Sequence, residues 1–285
     1  MDLFRQGLRD LGYVEGRNIN IEFRYAEGKS ERLAAFAEEL VRLKVDVLVV
    51  PNDSTAQAAK KSTTTIPIVM TSSGNPIGNR VIASQARPGG NVTGLTSYTA
   101  ELIDKRLGLL KEVVPNVTRF AFLNAESAGQ EGGSAAAFKD AQGTAKVLAV
   151  KFQLVEVRAE NPDIEGAFRF MAKERIGALV TSPSPPIARH RKKILQLTEK
   201  NRIPAIHPAQ AWANEGGLMS YGANTVEQSR RAAVFVDKIF KGRTPADLPV
   251  EGPMKFEFVI NLQAAKKIGV TVPQSVLFRA DKVIK

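Results

Sequence analysis

Short runs of β-branched and other apolar residues alternate along this chain with longer stretches whose apolar positions recur every three or four residues. Leu3, Phe4, Leu8 and Leu11 have helical spacing, as do Leu33, Phe36, Leu40 and Leu43. Residues 45–50 then form a mostly apolar run of the length of a parallel strand covered on both faces. The same pattern predicts strands at 66–70, 119–123, 152–157, 178–181, 203–206, 218–221 and 255–261. Helices are predicted at 101–114, 134–148, 164–175, 187–200 and 225–240. Strands separated by single helices imply right-handed βαβ crossovers, so the predicted class is α/β with mainly parallel, doubly wound sheets.

The length of 285 residues suits two compact lobes. Two Pro/Gly-rich segments, 87–94 and 241–253, read as crossings between them. The predicted lobes are residues 1–95 with about 223–247, and residues 96–222 with about 248–285. Composition changes this picture little: 44% hydrophobic and 24% charged residues describe an ordinary globular chain and exclude disordered or collagenous classes. No apolar stretch is long enough to span a membrane, and the polar start reads as lacking an export signal. The absence of cysteine excludes disulfides, iron–sulfur clusters, thiolate zinc and a cysteine nucleophile. With His190 and His207 the only histidines, no metal site and no cofactor are expected. The net charge of +11 is carried mostly after residue 95. The densest basic run, Arg189-His190-Arg191-Lys192-Lys193, reads as a solvated helix face rather than a nucleic-acid surface, because no interleaved aromatics accompany it.

Ligands of open parallel sheets sit outside the carboxyl ends of the strands, and that rule selects loops. After 45–50 comes Pro51-Asn52-Asp53-Ser54-Thr55-Ala56-Gln57, where Ser54 and Gln57 have capping-box spacing. After 66–70 comes the hydroxyl- and amide-rich turn 71–78. The later strands lead into 124–127, 182–186, 207–210 and 221–224. Ser184 before Pro185 reads as a helix N-cap. Tyr221, ahead of Trp212, could wall an aromatic ligand, and His207 reads as a structural histidine before a base. Templates for catalytic serine, phosphate-loop, dinucleotide and zinc-protease sites are absent, and the glycines of 89–94 have the wrong spacing for a dinucleotide turn and fit a hinge.

Five segments carry a resemblance. Gly7-Leu8-Arg9-Asp10-Leu11-Gly12-Tyr13-Val14-Glu15-Gly16-Arg17-Asn18, Ile66-Pro67-Ile68-Val69, Arg87-Pro88-Gly89-Gly90-Asn91-Val92-Thr93-Gly94, Gly216-Gly217-Leu218-Met219-Ser220-Tyr221-Gly222 and Ala246-Asp247-Leu248-Pro249-Val250-Glu251 resemble the substrate-binding proteins of ABC transporters. More narrowly, they are similar to the bacterial branch that includes binders of tryptophan and other aromatic amino acids. The resemblance implies a type I periplasmic-binding-protein fold: two Rossmann-like lobes, three hinge crossings and closure over a small molecule. It also implies a periplasmic monomer that docks on an inner-membrane ABC permease, binds no nucleic acid and has no catalytic residues. Carried over by position, its ligand shell would draw on Ser54, Thr55, Ser73, Asn75, Asn124, Ser184, Tyr221 and Gly222.

Many relatives have acidic residues where this chain has Asn75 and Pro185, so a carboxylate or aromatic acid stands beside an amino acid as the expected ligand. Relatives also have an export signal and a strand before the helix that opens this chain, so an amino-terminal truncation or a misassigned start is expected, with a first-lobe sheet lacking a central strand. The rival readings are a ligand-sensing module of a regulatory system, which needs a fused signalling segment, and an α/β enzyme using His207 with Asp53 or Glu126.

Overall fold

The structure, a computed structural model, describes residues 2–27, 29, 31–97, 99–126 and 133–285. It divides into two compact units between which the chain passes three times, at 98/99, 223/224 and 255/256. Unit 1 opens with α1 (Asp2–Asp10), α2 (Arg32–Arg42), β1 (Leu48–Val50), α3 (Asp53–Ser62), β2 (Ile68–Ser73) and β3 (Val92–Thr96). The first segment of unit 2 runs through α4 (Thr99–Val113), β4 (Arg119–Glu126), α5 (Gly133–Asp140), α6 (Gln142–Val147), β5 (Lys151–Arg158), α7 (Ile164–Lys173) and β6 (Ala178–Thr181). It continues with α8 (Pro185–Arg189), α9 (Arg191–Lys200), β7 (Ala205–His207), α10 (Gln210–Asn214) and β8 (Met219–Ala223). Unit 1 resumes with α11 (Thr225–Phe240) and a 3-10 turn at Pro245–Asp247, and unit 2 ends with β9 (Phe256–Asn261), α12 (Leu262–Ile268), α13 (Gln274–Leu277) and β10 (Lys282–Ile284).

Among the described residues, unit 1 holds a three-stranded parallel sheet in the order β1-β2-β3. Unit 2 holds seven strands in the order β10-β9-β8-β7-β6-β4-β5, parallel throughout except for β8 against β9. The α/β class with mainly parallel sheets is therefore as the sequence pattern predicts. Successive strand residues point to opposite faces, and the apolar runs fill both. In β4, Phe120 and Phe122 join one core layer with Ile103, Leu107 and Leu110 of α4, while Ala121 and Leu123 join another with Phe168, Met171 and Trp212. In β2, Ile68 and Met70 pack with Ala56 and Ala59 of α3, and Val69 packs with Phe4, Leu8 and Phe235.

Several expectations are corrected. The segment 87–94 is not a crossing: Val92 to Thr96 is a fully buried strand inside unit 1, and the chain leaves the unit after residue 98. Gly94 explains why a glycine-rich run becomes a strand. Its φ is +125°, and a Cβ there would stand 2.3 Å from the Met70 carbonyl oxygen, so only glycine lets β3 approach β2. The segment 241–253 is not a crossing either. Residues 248–255 belong to unit 1: Leu248 and Val250 are buried in its core layers, and the Thr93 hydroxyl donates to the Leu248 carbonyl at 2.7 Å. The predicted helix at 187–200 is two helices meeting at His190, whose Nδ1 lies 2.9 Å from the Pro186 carbonyl. The helix at 134–148 is likewise divided, at Ala141.

Replacing Gly94 with Ala is expected to cost about 2 kcal/mol or more, since the new methyl meets backbone atoms and the left-handed conformation is strained. Gly108 on α4 has open space around its missing Cβ, so Gly108→Ala is expected to stabilise by about 0.5–1 kcal/mol. Urea unfolding followed by circular dichroism measures both, and equal effects of the two substitutions would contradict this account of β3.

Candidate functional site

In unit 1 the loops after β1 and β2 are tied to each other by one carboxylate. Asn52 caps α3: its Oδ1 accepts from the Thr55 amide at 3.1 Å, and the Thr55 hydroxyl accepts from the Asn52 amide at 3.2 Å. The capping box is thus Asn52 with Thr55, two residues earlier than the predicted Ser54 with Gln57. Gln57 instead donates to the Asn79 carbonyl at 2.8 Å. Asp53, next in the chain, reaches the turn after β2. Its Oδ1 accepts from the Ser73 hydroxyl, and its Oδ2 accepts from the amides of Gly74 and Asn75 at 3.1 and 3.0 Å.

This clamp changes the roles of the predicted site residues. Ser73 is fully buried with its hydroxyl committed to Asp53, and the Thr55 hydroxyl is committed to Asn52. Asn75 spends its Oδ1 on the Gly78 amide at 2.9 Å. Ser54 lies half-buried in the first turn of α3. The sequence reading singled out these two loops but not Asp53, which ties them together; its carboxylate, one residue after an N-cap, was the available signal.

In unit 2, β8, β7, β6 and β4 are consecutive and parallel, so their carboxyl ends lie along one edge of the sheet. At the end of β4, Asn124 is buried; its Nδ2 donates to Glu156 Oε1 at 3.4 Å and its Oδ1 has no partner. After β6, the hydroxyls of Ser182 and Ser184 lie 2.9 Å apart, and Ser184 stands at the N-cap position of α8 without capping it through its side chain. At the end of β7, His207 is fully buried. Its Nδ1 lies 3.0 Å from the Thr181 hydroxyl and its ring stacks on Trp212 with centroids 4.3 Å apart. Burial, and secondarily the charge of Arg106, push this imidazole down to about 3. His207 and Trp212 are therefore packing residues. On β8, half-buried Tyr221 stacks on Phe256 with centroids 5.9 Å apart. Gly222 approaches the Pro208 backbone so closely that a Cβ would overlap the Pro208 carbonyl oxygen at 1.8 Å.

One residue was missed altogether. Arg106, on α4, is 2% exposed and sends its Nε to the Tyr221 carbonyl at 2.7 Å. Its Nη1 is buried without a partner. Burial pushes the guanidinium down to about 9, opposed by Tyr221. A charge three and four residues from the apolar Ile103, Leu102 and Leu110 was the signal for it in the sequence. The basic run at 189–193, by contrast, is partly neutralised at the surface: Arg191 Nε donates to Glu215 at 2.9 Å and Lys193 pairs with Glu165.

Comparison with known proteins is decisive at this point. The family profile described as ABC transporter substrate binding protein matches residues 2–284. The chain belongs to that family. Within it, the Tyrosine-binding protein of Clostridioides difficile (strain R20291) is 26% identical over 266 residues, covering 93% of this chain and 75% of that protein. The solved conserved domain protein of Vibrio cholerae O1 biovar El Tor matches with a TM-score of 0.90 at 27% identity, over 99% of this chain and 94% of that one. The ABC domain from Streptococcus pneumoniae, solved in complex with L-Trp, matches with a TM-score of 0.88 at 26% identity, again over 99% and 94%. The resemblance to aromatic-amino-acid binders seen in the sequence is thus upheld. Among the described residues no helix is long and apolar enough to cross a membrane.

Two measurements probe this ABC substrate-binding chain. Asp53→Ala is expected to speed hydrogen exchange of the Gly74 and Asn75 amides and to cost about 1–3 kcal/mol; unchanged exchange would remove the clamp from the account. His207 takes no proton in the native state until about pH 3, whereas in the unfolded chain it titrates near 6.5. Stability is therefore unaffected by this group above about pH 6.5 and falls below it, by about 1.4 kcal/mol per pH unit from one proton. Urea midpoints between pH 7.5 and 4.5 should show this slope, and His207→Gln should remove it; the same slope in both proteins would contradict the buried neutral imidazole.

Proposed function

We propose that this chain is the solute receptor of an ABC importer. It captures a small organic ligand, an aromatic or other amino acid or a simple carboxylate, and does not transform it. The observation that carries this reading is the family match across residues 2–284, joined to the row of polar groups at the carboxyl ends of β4, β6, β7 and β8, where open parallel sheets bind ligands. The relatives named for tyrosine and solved with L-Trp support an aromatic amino acid. Asn75 and Pro185, which stand where the family resemblance leads one to expect acids, support a ligand whose carboxylate matters more than its amino group.

In this reading Asn124, Ser184, Tyr221 and Gly222 are the ligand-contacting groups of unit 2. Thr55, Ser73 and Asn75 shape the unit 1 loops, because their hydroxyls and amide oxygen already serve Asn52, Asp53 and Gly78. An enzymatic role for His207 is disfavoured by its enclosure between Thr181 and Trp212 and by the loss of its basicity. The receptor acts outside the cytoplasm, in the periplasm, as a monomer that delivers ligand to a membrane permease.

Isothermal titration of the folded protein with L-tryptophan, L-tyrosine and benzoate tests the reading. One-to-one binding of at least one of them, with the ligand recovered chemically unchanged, is the expected outcome. Absence of binding to all three, or turnover of a bound one, would sink it.

A further inference from the structure

A guanidinium removed from water is stable as a cation only when a counter-charge or a full set of acceptors replaces its hydration. Among the described residues Arg106 has neither: one of its five N–H groups is satisfied there, by the Tyr221 carbonyl at 2.7 Å, and Nη1 is buried with no partner. Among the described residues no carboxylate forms an ion pair with it. The second terminal nitrogen, Nη2, lies 3.7 Å from the point where a Cβ would stand on Gly222, at the carboxyl end of β8. The bare backbone of Gly222 thus lies beside the guanidinium, with the Pro208 carbonyl packed against the same glycine. A residue that only fastened α4 to β8 would need the one Nε bond and no charge.

We infer that Arg106 is the carboxylate-recognising residue of unit 2: a ligand carboxylate placed at the carboxyl ends of β7 and β8 is its missing counter-ion. The inference rests on the solute-receptor reading and narrows it, since it requires an anionic group on the ligand and assigns it to unit 2. Tyr221 supports the geometry through its carbonyl, which fixes Nε, while its half-buried ring stacks on Phe256. The guanidinium's lowered pKa has burial as its main cause and no compensating carboxylate, and a bound anion would supply the missing compensation. Planar, two-point recognition of a carboxylate is what arginine does better than lysine.

Matched pairs of ligands separate this inference from the reading beneath it. Benzoate and benzamide, L-tryptophan and L-tryptophanamide, and L-tyrosine and L-tyrosinamide are titrated into wild type, Arg106→Gln and Arg106→Lys, with circular dichroism confirming the fold of each. The expected result is that wild type prefers the carboxylate of the best-bound pair by about 10- to 100-fold, that Arg106→Gln abolishes this preference while leaving carboxamide affinity in place, and that Arg106→Lys restores part of it. Equal affinity of wild type for a carboxylate and its carboxamide overturns the inference and leaves the receptor reading intact, as does a preference that survives in Arg106→Gln. If Arg106→Gln does not fold, the wild-type preference and its reduction in Arg106→Lys carry the test. Binding of none of the six compounds by folded wild type overturns both.

Discussion

Parallel pairing is the constraint on which the rest of this chain depends. Because β4, β6, β7 and β8 run in one direction and lie side by side, the residues that end them reach a single edge of the unit 2 sheet from positions almost a hundred residues apart in sequence. The edge is built from backbone register: His207 sits opposite Ser220, which puts Tyr221 and Gly222 just beyond the end of β7. The apolar runs behind the edge need no polar residue within them, so the sheet can be packed on both faces and still present hydrogen-bonding groups at its end.

That arrangement leaves polar atoms short of partners in the region where a solute would supply them. Asn124 Oδ1 and Arg106 Nη1 are buried and unmatched there, as are His207 Nε2 and Ser220 Oγ on β7 and β8, with four further unmatched side-chain atoms among the described residues. The opposite treatment is given to the unit 1 loops, where Asp53 consumes the Ser73 hydroxyl and two amides. The unit 1 loops are stiffened by internal bonds; the unit 2 sheet edge holds unused bonding capacity. Binding proteins need both, since a rigid loop lowers the entropy lost on binding and an unused donor supplies specificity.

Much of this was legible in the sequence because strands and helices announce themselves by period. The runs at 178–181 and 119–123 were placed with little error. The glycine-rich segment at 87–94 misled for a physical reason: Gly94 is there to admit a close strand, not to bend the chain, and only the neighbouring Met70 backbone shows which. The short β10 and α10, α12 and α13 have too few residues for periodicity to register. Which hydroxyl is spent within the fold cannot be read from sequence, so the resemblance carried Ser73 and Thr55 over as ligand groups although their hydroxyls serve Asp53 and Asn52. Arg106 lies in a helix and in none of the strand-end loops, so the loop rule does not select it, although a cation on the apolar stripe of α4 stands out in the sequence.

The most direct test of the account is a crystal structure with a bound aromatic carboxylate. The account predicts the ligand at the carboxyl ends of β4, β6, β7 and β8, with its carboxylate within hydrogen-bonding distance of Arg106 and its ring against Tyr221. A ligand seated away from that edge, with the Arg106 guanidinium still without an anionic partner, would contradict it.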